Sequence, residues 1–271
     1  DCGINTAAME ATGIYWIPLF FKLKESGIDV ILVNAHEVKN ISEKKTDEAD
    51  AEWLMLLHTY GLLKASYQPE NEARQVRNLA RHRSNILKSA GKEVQHMQKA
   101  MEQMNIKLSN VLSDIVGKSG RAIIDAILKG ERRPEVLAQL ADGRCKRSKE
   151  DIALSLEGTW DEDHLFELKQ AYDLYNYLQT QMTECDHKIE ELLMSYAAVV
   201  DTDMSGLVKC NKAICKKNAV DFDVEKYGYA IWGINPMTIP GMSAGSVLQL
   251  IGELGHNFVD KFDTPEKFCK W

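Results

Sequence analysis

The sequence predicts an α/β domain, then a long paired-helix region, then a mostly helical C-terminal part. Strand and helix signals alternate over residues 6–60. Apolar residues recur at alternating spacings of three and four over 71–104 and again over 165–196. Shorter helical patterns broken by glycine and proline fill the rest.

Residues 6–12 read as a short strand of small residues that stops at Gly13. Residues 15–25 have helical spacing through Trp16, Leu19, Phe20 and Leu23, and Ser26-Gly27 ends that helix. The run IDVILV at 28–33 is β-branched and continuous, the pattern of a strand buried on both faces. Residues 47–60 read as a helix with Ala51, Leu54, Met55, Leu57 and His58 on one side. A β-α-β-α order implies a parallel pair joined by a crossover helix.

The pattern over 71–104 runs through Val76, Leu79, Arg83, Ile86, Ala90, Val94, Met97, Met101 and Met104. The second pattern runs through Tyr175, Leu178, Met182, Cys185, Ile189, Leu192 and Tyr196. Both predict coiled-coil seams, paired either with each other or across a dimer. Residues 197–237 are poorly patterned and are expected to be a linker or irregular. Residues 238–271 are expected to form the start of a further domain, with a turn at Pro240-Gly241, an apolar helix over 246–254 and a helix start at Thr264-Pro265. The expected divisions are therefore 1–70, 71–196, 197–237 and 238–271.

Hydrophobic residues make up 45% of the 271 and charged ones 27%, enough for a real core. No apolar run approaches the roughly 18 residues that cross a bilayer, and no signal peptide is visible. A membrane partner is not expected, and the location expected is cytoplasmic. Cys2, Cys145, Cys185, Cys210, Cys215 and Cys269 form no C-x-x-C pair, and the Cys210/Cys215 spacing is not a usual zinc pattern, so free thiols are expected.

The net charge of −7 is unevenly spread. Residues 74–107 hold eight Lys/Arg against two Asp/Glu, 116–149 nine against four, and 150–206 two against fourteen. Local field attracts a phosphate backbone, whatever the total charge. Arg74, Arg77, Arg81, Arg83, Lys88 and Lys92 are candidate backbone contacts, as are Arg144, Lys146, Arg147 and Lys149. A solvated helix face remains the alternative.

Three carboxylates stand out. Glu10 ends the first predicted strand, in MEATG. Asp47 and Asp50, in KKTDEADAEW, are three apart on a predicted helix and share a face. A strand-end acid facing a helical pair suits Mg²⁺ or Mn²⁺, which take oxygen ligands and leave room for substrate phosphates. Each acid also has a plain reading. Asp47 suits a helix N-terminus and Asp50 a solvated position, whereas Glu10 would be costly if buried without a partner. Lys44 and Lys45 either touch phosphate or balance the acids. Tyr15 and Trp16 either stack on a base or belong to the core. His58, His82 and His96 read as helix-surface residues. TIPGMSAGS resembles half of a helix-hairpin-helix, whose turn would offer N–H groups to a phosphate; an ordinary turn before a core helix is the other reading.

MEATGIYW followed by VILVNAHEVKNISEKKTDEADAEWLMLLHTYGLLKASY, and then the basic helix, resembles the DEDD-motif insertion-sequence transposases, the "one-ten" family. KLSNVLSDIVGKSGRAIIDAILKGE and IPGMSAGSVLQLIGELG with FDTPEKFCKW extend the likeness over nearly the whole chain. The resemblance implies an α/β ribonuclease-H-like (RuvC-like) N-terminal domain that uses Asp, Glu, Asp and Asp with divalent metal, followed by a coiled coil and a mostly helical C-terminal domain. Glu10, Asp47 and Asp50 match three of the four acids. The resemblance places the first Asp on a strand ahead of residue 1, and a serine nucleophile in a Gly-rich motif beyond residue 271. Asp1, Ser243 and Ser246 do not match those places. A chain without the two groups is expected not to recombine DNA by itself. The partners implied are double-stranded DNA, an element-encoded guide RNA, and further copies of the chain as a dimer or dimer of dimers. A RuvC-type structure-selective nuclease and a non-catalytic coiled-coil protein that binds nucleic acid are the alternatives. Joined strands, as against nicks, would separate the transposase from the nuclease.

Overall fold

The computed structural model describes residues 3–35, 38, 46–210, 218–262 and 264–270. The chain divides into two units, Asp1–Gln68 and Pro69–Trp271.

In the first unit, β1 (Thr6–Glu10) and α1 (Trp16–Glu25) lead to β2 (Asp29–Val33). The strands are parallel, in register from Thr6↔Asp29 to Glu10↔Val33. Parallel strands need a covering layer, and α1 supplies it. Its Phe20 packs with Val30 and Leu32, and the Trp16 and Phe20 rings meet edge to face at 5.6 Å. The continuous β-branched run is buried at Val30, Leu32 and Val33, as the sequence predicts, with Ile31 half-buried. Gly27, with φ +79°, reverses the chain between α1 and β2.

α2 (Asp47–Thr59) begins where Thr46 accepts the Ala49 N–H at 3.2 Å, a side-chain N-cap. Its inner face differs from the expected one. Ala51 and Met55 are exposed, whereas Trp53, Leu54, Leu57 and His58 are half-buried. The Trp53 indole N–H finds the Val38 carbonyl at 3.1 Å, which turns the helix toward tryptophan.

The second unit is built on two long helices, α3 (Asn71–Gln103) and, after α4 (Leu108–Val111), α5 (Lys118–Leu128), α6 (Pro134–Gln139) and α7 (Lys149–Leu154), α8 (Glu162–Val200). They run antiparallel: Glu70 meets Tyr196 at one end, Arg83 meets Asp186 midway, and Asn105 meets Glu157 near the turn. The predicted seams face each other. Val76, Ile86, Ala90, Met97 and Met101 of α3, and Tyr175, Met182, Cys185, Ile189 and Tyr196 of α8, are buried. The two seams are thus filled within one chain, and the expected homodimer through them loses that surface.

Two cores flank the hairpin. Toward the turn, Met97, Met101 and Met104 pack with Ile123, Ile127, Leu137, Leu156 and Leu168. At the open end, Ala73, Val76, Ile189 and Leu193 pack with α9 (Val224–Trp232) and α10 (Ala244–Leu254). α11 (Pro265–Lys270) follows, after Thr264 accepts the Lys267 N–H. The span 197–237 is therefore not all irregular. Asp223 caps α9 through the Lys226 N–H, Val224, Tyr227 and Ile231 face the core, and Gly233 ends the helix at φ +68°. Met242, Ala244, Val247, Leu248 and Ile251 join the same core as the long helices rather than beginning a separate one. Cys145, Cys185, Cys210 and Cys269 are free thiols; Cys2 and Cys215 lie outside the described residues.

Glu70 ties the open end together. Its Oε1 accepts from the Tyr196 hydroxyl, from the His256 N–H at 2.7 Å and sits 2.8 Å from His256 Nδ1. Gly255 makes room for it, since a Cβ there would lie 2.3 Å from both carboxylate oxygens. Burial pushes the Glu70 carboxyl up, but the hydrogen bonds from Tyr196 and His256 outweigh it and hold it below the ordinary 4.5. A depressed carboxyl stabilises the fold above its unfolded value and stops doing so as pH falls through the folded one. Glu70→Gln is therefore expected to lower the urea midpoint at pH 7 and to approach wild type as pH falls through the lowered folded value. A gap that widens on acidification would contradict the assignment.

Candidate functional site

The carboxylate pattern lies in the first unit. Glu10 is the last residue of β1, exposed, and its Oε1 accepts from the Thr12 hydroxyl. Exposure removes the burial cost that set Glu10 apart in the sequence. Asp47 and Asp50 lie in the first turn of α2, also exposed. Two contacts orient α2. His58 Nε2 is 3.1 Å from Thr6 Oγ1 at the start of β1, and Trp53 reaches Val38, beyond the end of β2. The helix therefore runs antiparallel to the strands. From Thr6 to Glu10 the strand rises roughly 13 Å. From His58 back to Asp50 the helix rises about 12 Å. These lengths bring Glu10 and the α2 N-terminus to the same edge, the carboxyl edge of the parallel pair, where open α/β sheets place their ligands.

The three acids share this edge without converging on a point. Among the described residues no three His, Cys, Asp or Glu side chains are arranged to hold a metal ion. The chain as described thus does not present a finished metal cradle. Lys44 and Lys45 lie outside the described residues. Tyr15 is 87% exposed and available for stacking, while Trp16 belongs to the core beneath α1.

The cationic candidates lie in the second unit and sort by helix geometry. At about 100° per residue, Arg74, Arg77, Arg81, Lys88 and Lys92 fall within roughly 60° of one another on α3. Arg83 falls on the opposite side, on the seam. It is accordingly 8% exposed, bonded to both Asp186 oxygens and to the Asn218 and Ala219 carbonyls at 3.3 and 3.0 Å. Its fork is consumed by the fold, so Arg83 is not a surface for phosphate. On the outer face, Arg81, Lys88 and Lys92 are exposed and Arg74 and Arg77 half-buried. Arg77 and Arg81 both pair with Glu253 of α10, at 3.3 and 2.5 Å.

In the second cluster, Arg144, Lys146 and Arg147 are exposed. Hydrogen bonds from the Arg144 side chain and N–H, and from Lys118, hold the Asp142 carboxyl well below the usual range. Lys149 is taken up internally: its ammonium donates to the Ala138 carbonyl at 3.0 Å and to that of Ala141, closing the end of α6. His82 and His96 are exposed on α3, as expected. Around TIPGMSAGS, Gly241 has φ +83°, and Ser243 caps α10 by accepting the Ser246 N–H at 3.2 Å.

Asp186 and Glu253 were missed in the sequence. Asp186 had a legible signal, since it adjoins the Cys185 seam position and a seam arginine needs a carboxylate opposite it. Nothing local marks Glu253.

Residues 4–106 match the family profile described as Transposase, of the DEDD type of IS110. No curated protein and no solved structure matches the chain. The matched stretch contains Glu10, Asp47 and Asp50 at the strand edge and the cationic face of α3. Over residues 4–106 the chain is similar to the IS110-type DEDD transposase family.

Proposed function

We propose that the chain serves insertion-sequence transposition by divalent-metal-dependent cleavage and exchange of DNA strands. The family match across both acid motifs carries this reading. The common edge reached by Glu10, Asp47 and Asp50 supports it, and so does the exposed cationic face of α3. Glu10, Asp47 and Asp50 are the carboxylates we assign to the metal-dependent chemistry. Mg²⁺ binds through one or two carboxylates together with substrate phosphates, so a dedicated protein cage is not required. A serine nucleophile and an element-encoded guide RNA belong to the same reading by resemblance. Base pairing would then choose the sequence, while the protein holds backbone and shape. Arg74, Arg77, Arg81, Lys88, Lys92, Arg144, Lys146 and Arg147 remain the assigned backbone contacts. Self-association would use a surface other than the α3–α8 seam. No helix among the described residues is long and apolar enough to cross a membrane.

The test is titration of Mn²⁺ into the protein mixed with duplex DNA. Wild type is expected to take up the ion, and Asp47→Asn combined with Asp50→Asn to lose at least about tenfold in affinity, the scale on which perturbing metal sites acts. Both side chains are exposed, so the double variant should melt as wild type does. Unchanged uptake by a folded double variant would remove the two aspartates from the site.

A further inference from the structure

The cationic face of α3 is not a flat surface. It forms one wall of a groove of about 930 Å³, with α10 as the other wall. Three features of the groove bear on what it takes.

The first is size. At Gly252 the two helices touch: a Cβ there would lie 2.6 Å from Arg77 Cα. Helices in such contact leave no gap between them, so the groove opens beside the contact, and its volume of about 930 Å³ is that of a few nucleotides of one strand rather than of a duplex. The second is lining. Arg77, Arg81 and Lys88 line the α3 side, Ser243 at the N-cap of α10 and Ser246 and Gln249 within it offer neutral polar groups, and Leu87, Met242 and Leu248 supply apolar surface between them. The third is charge. Two guanidiniums share the single Glu253 carboxylate, and the exposed Lys88 ammonium stands on the same wall. Donors are left over after the internal pairing.

We propose that this groove seats a single strand of nucleic acid along its phosphodiester backbone, and that Glu253 is a built-in competitor for the cations that the backbone engages. This rests on the reading of the chain as a nucleic-acid-handling protein and adds to it a site and a restraint. A phosphodiester carries the same unit charge as a carboxylate and offers a comparable pair of oxygens, so both address the same arginine forks. Binding must therefore displace Glu253 from Arg81, the exposed partner. Glu253 lowers the affinity of the groove and keeps its arginines in place.

The test is fluorescence anisotropy on the full 271-residue chain. The probes are a fluorescein-labelled oligothymidine strand, an oligouridine of the same length, and a DNA duplex, each titrated over a range of salt. Glu253→Gln is expected to bind the single strands about 3–10-fold tighter, with a log–log salt slope steeper by about 0.7, the value for one more phosphate contact on a single strand. Arg81→Gln with Lys88→Gln is expected to bind about tenfold more weakly, with a slope flatter by roughly 1.4. Arg81 and Lys88 are exposed, so that variant keeps its fold, and thermal unfolding checks Glu253→Gln. Tighter binding of one single-stranded probe over the other identifies DNA or RNA as the source of the strand. Wild-type binding that neither variant changes overturns the groove and leaves the nucleic-acid reading standing. A Glu253→Gln protein that melts lower and binds no tighter makes Glu253 a structural tie and overturns the competitor. Preference for the duplex overturns the single-strand assignment. Absence of binding by every form removes the groove and the nucleic-acid reading of this unit together.

Discussion

Asp186→Ala is expected to destabilise the second unit by about 3–5 kcal/mol, the usual cost of stranding one member of a buried ion pair. The Arg83 and Asp186 side chains are only 10% and 4% exposed, so little water remains to solvate a guanidinium left alone. Two carbonyls, at Asn218 and Ala219, would still accept from it, but neither carries a countercharge. The attraction within such a pair only roughly offsets its desolvation. Arg83→Met combined with Asp186→Leu is therefore expected to recover most of the loss. Urea unfolding of the two single variants and the double closes the cycle. A single-variant loss below about 1 kcal/mol, the exposed-pair range, would show the pair to be wet.

Gly252→Ala is expected to cost up to about 2 kcal/mol, although alanine is the better helix former. Helix propensity favours the change by about 1 kcal/mol. Against this, the new Cβ would lie 2.6–2.8 Å from the Cα, Cβ and backbone N of Arg77. Backbone atoms cannot rotate away, and overpacking of this kind costs about 1–3 kcal/mol. The helices must separate, so the groove should change shape and nucleic-acid affinity should move with stability. Gly91→Ala is the control: it is exposed on α3, the helix that carries Arg77, with nothing within 4 Å of the added carbon. The same substitution there is expected to stabilise by up to about 1 kcal/mol. Thermal melts of both variants decide the matter, and equal shifts of one sign would refute the close approach.

Much of the architecture was legible because periodicity reports burial. The β-branched 28–33 run, the α1 stripe and both long seams were readable from spacing alone. α2 was misread on its inner face because helical positions 51, 54 and 55 look apolar, whereas the half-buried Trp53 is set by a polar bond to Val38. α9 was missed because it is short and follows Asp201, Asp203 and Gly206, although its 224, 227, 231 spacing was there to be read. Among the site residues, the acids were recognisable from two motifs, yet their common edge depends on how α2 lies along the strands. Arg83 carried two readings at once, seam and cation. Its angular position on α3 decides for the seam. Glu253 and Gly252 were invisible because their meaning comes from α3, more than 170 positions away in sequence.

The antiparallel pairing of α3 with α8 also sets an order of assembly. Near the turn, Asn105 meets Glu157 across 52 positions, whereas at the open end Tyr196 meets Glu70 across 126. Shorter loops close at lower entropic cost, so the hairpin zips from the turn outward. The end that carries the groove is then the last to form and the first to fray. A strand held there would act as a clasp on the whole hairpin, and handling nucleic acid would become part of how the protein stays folded.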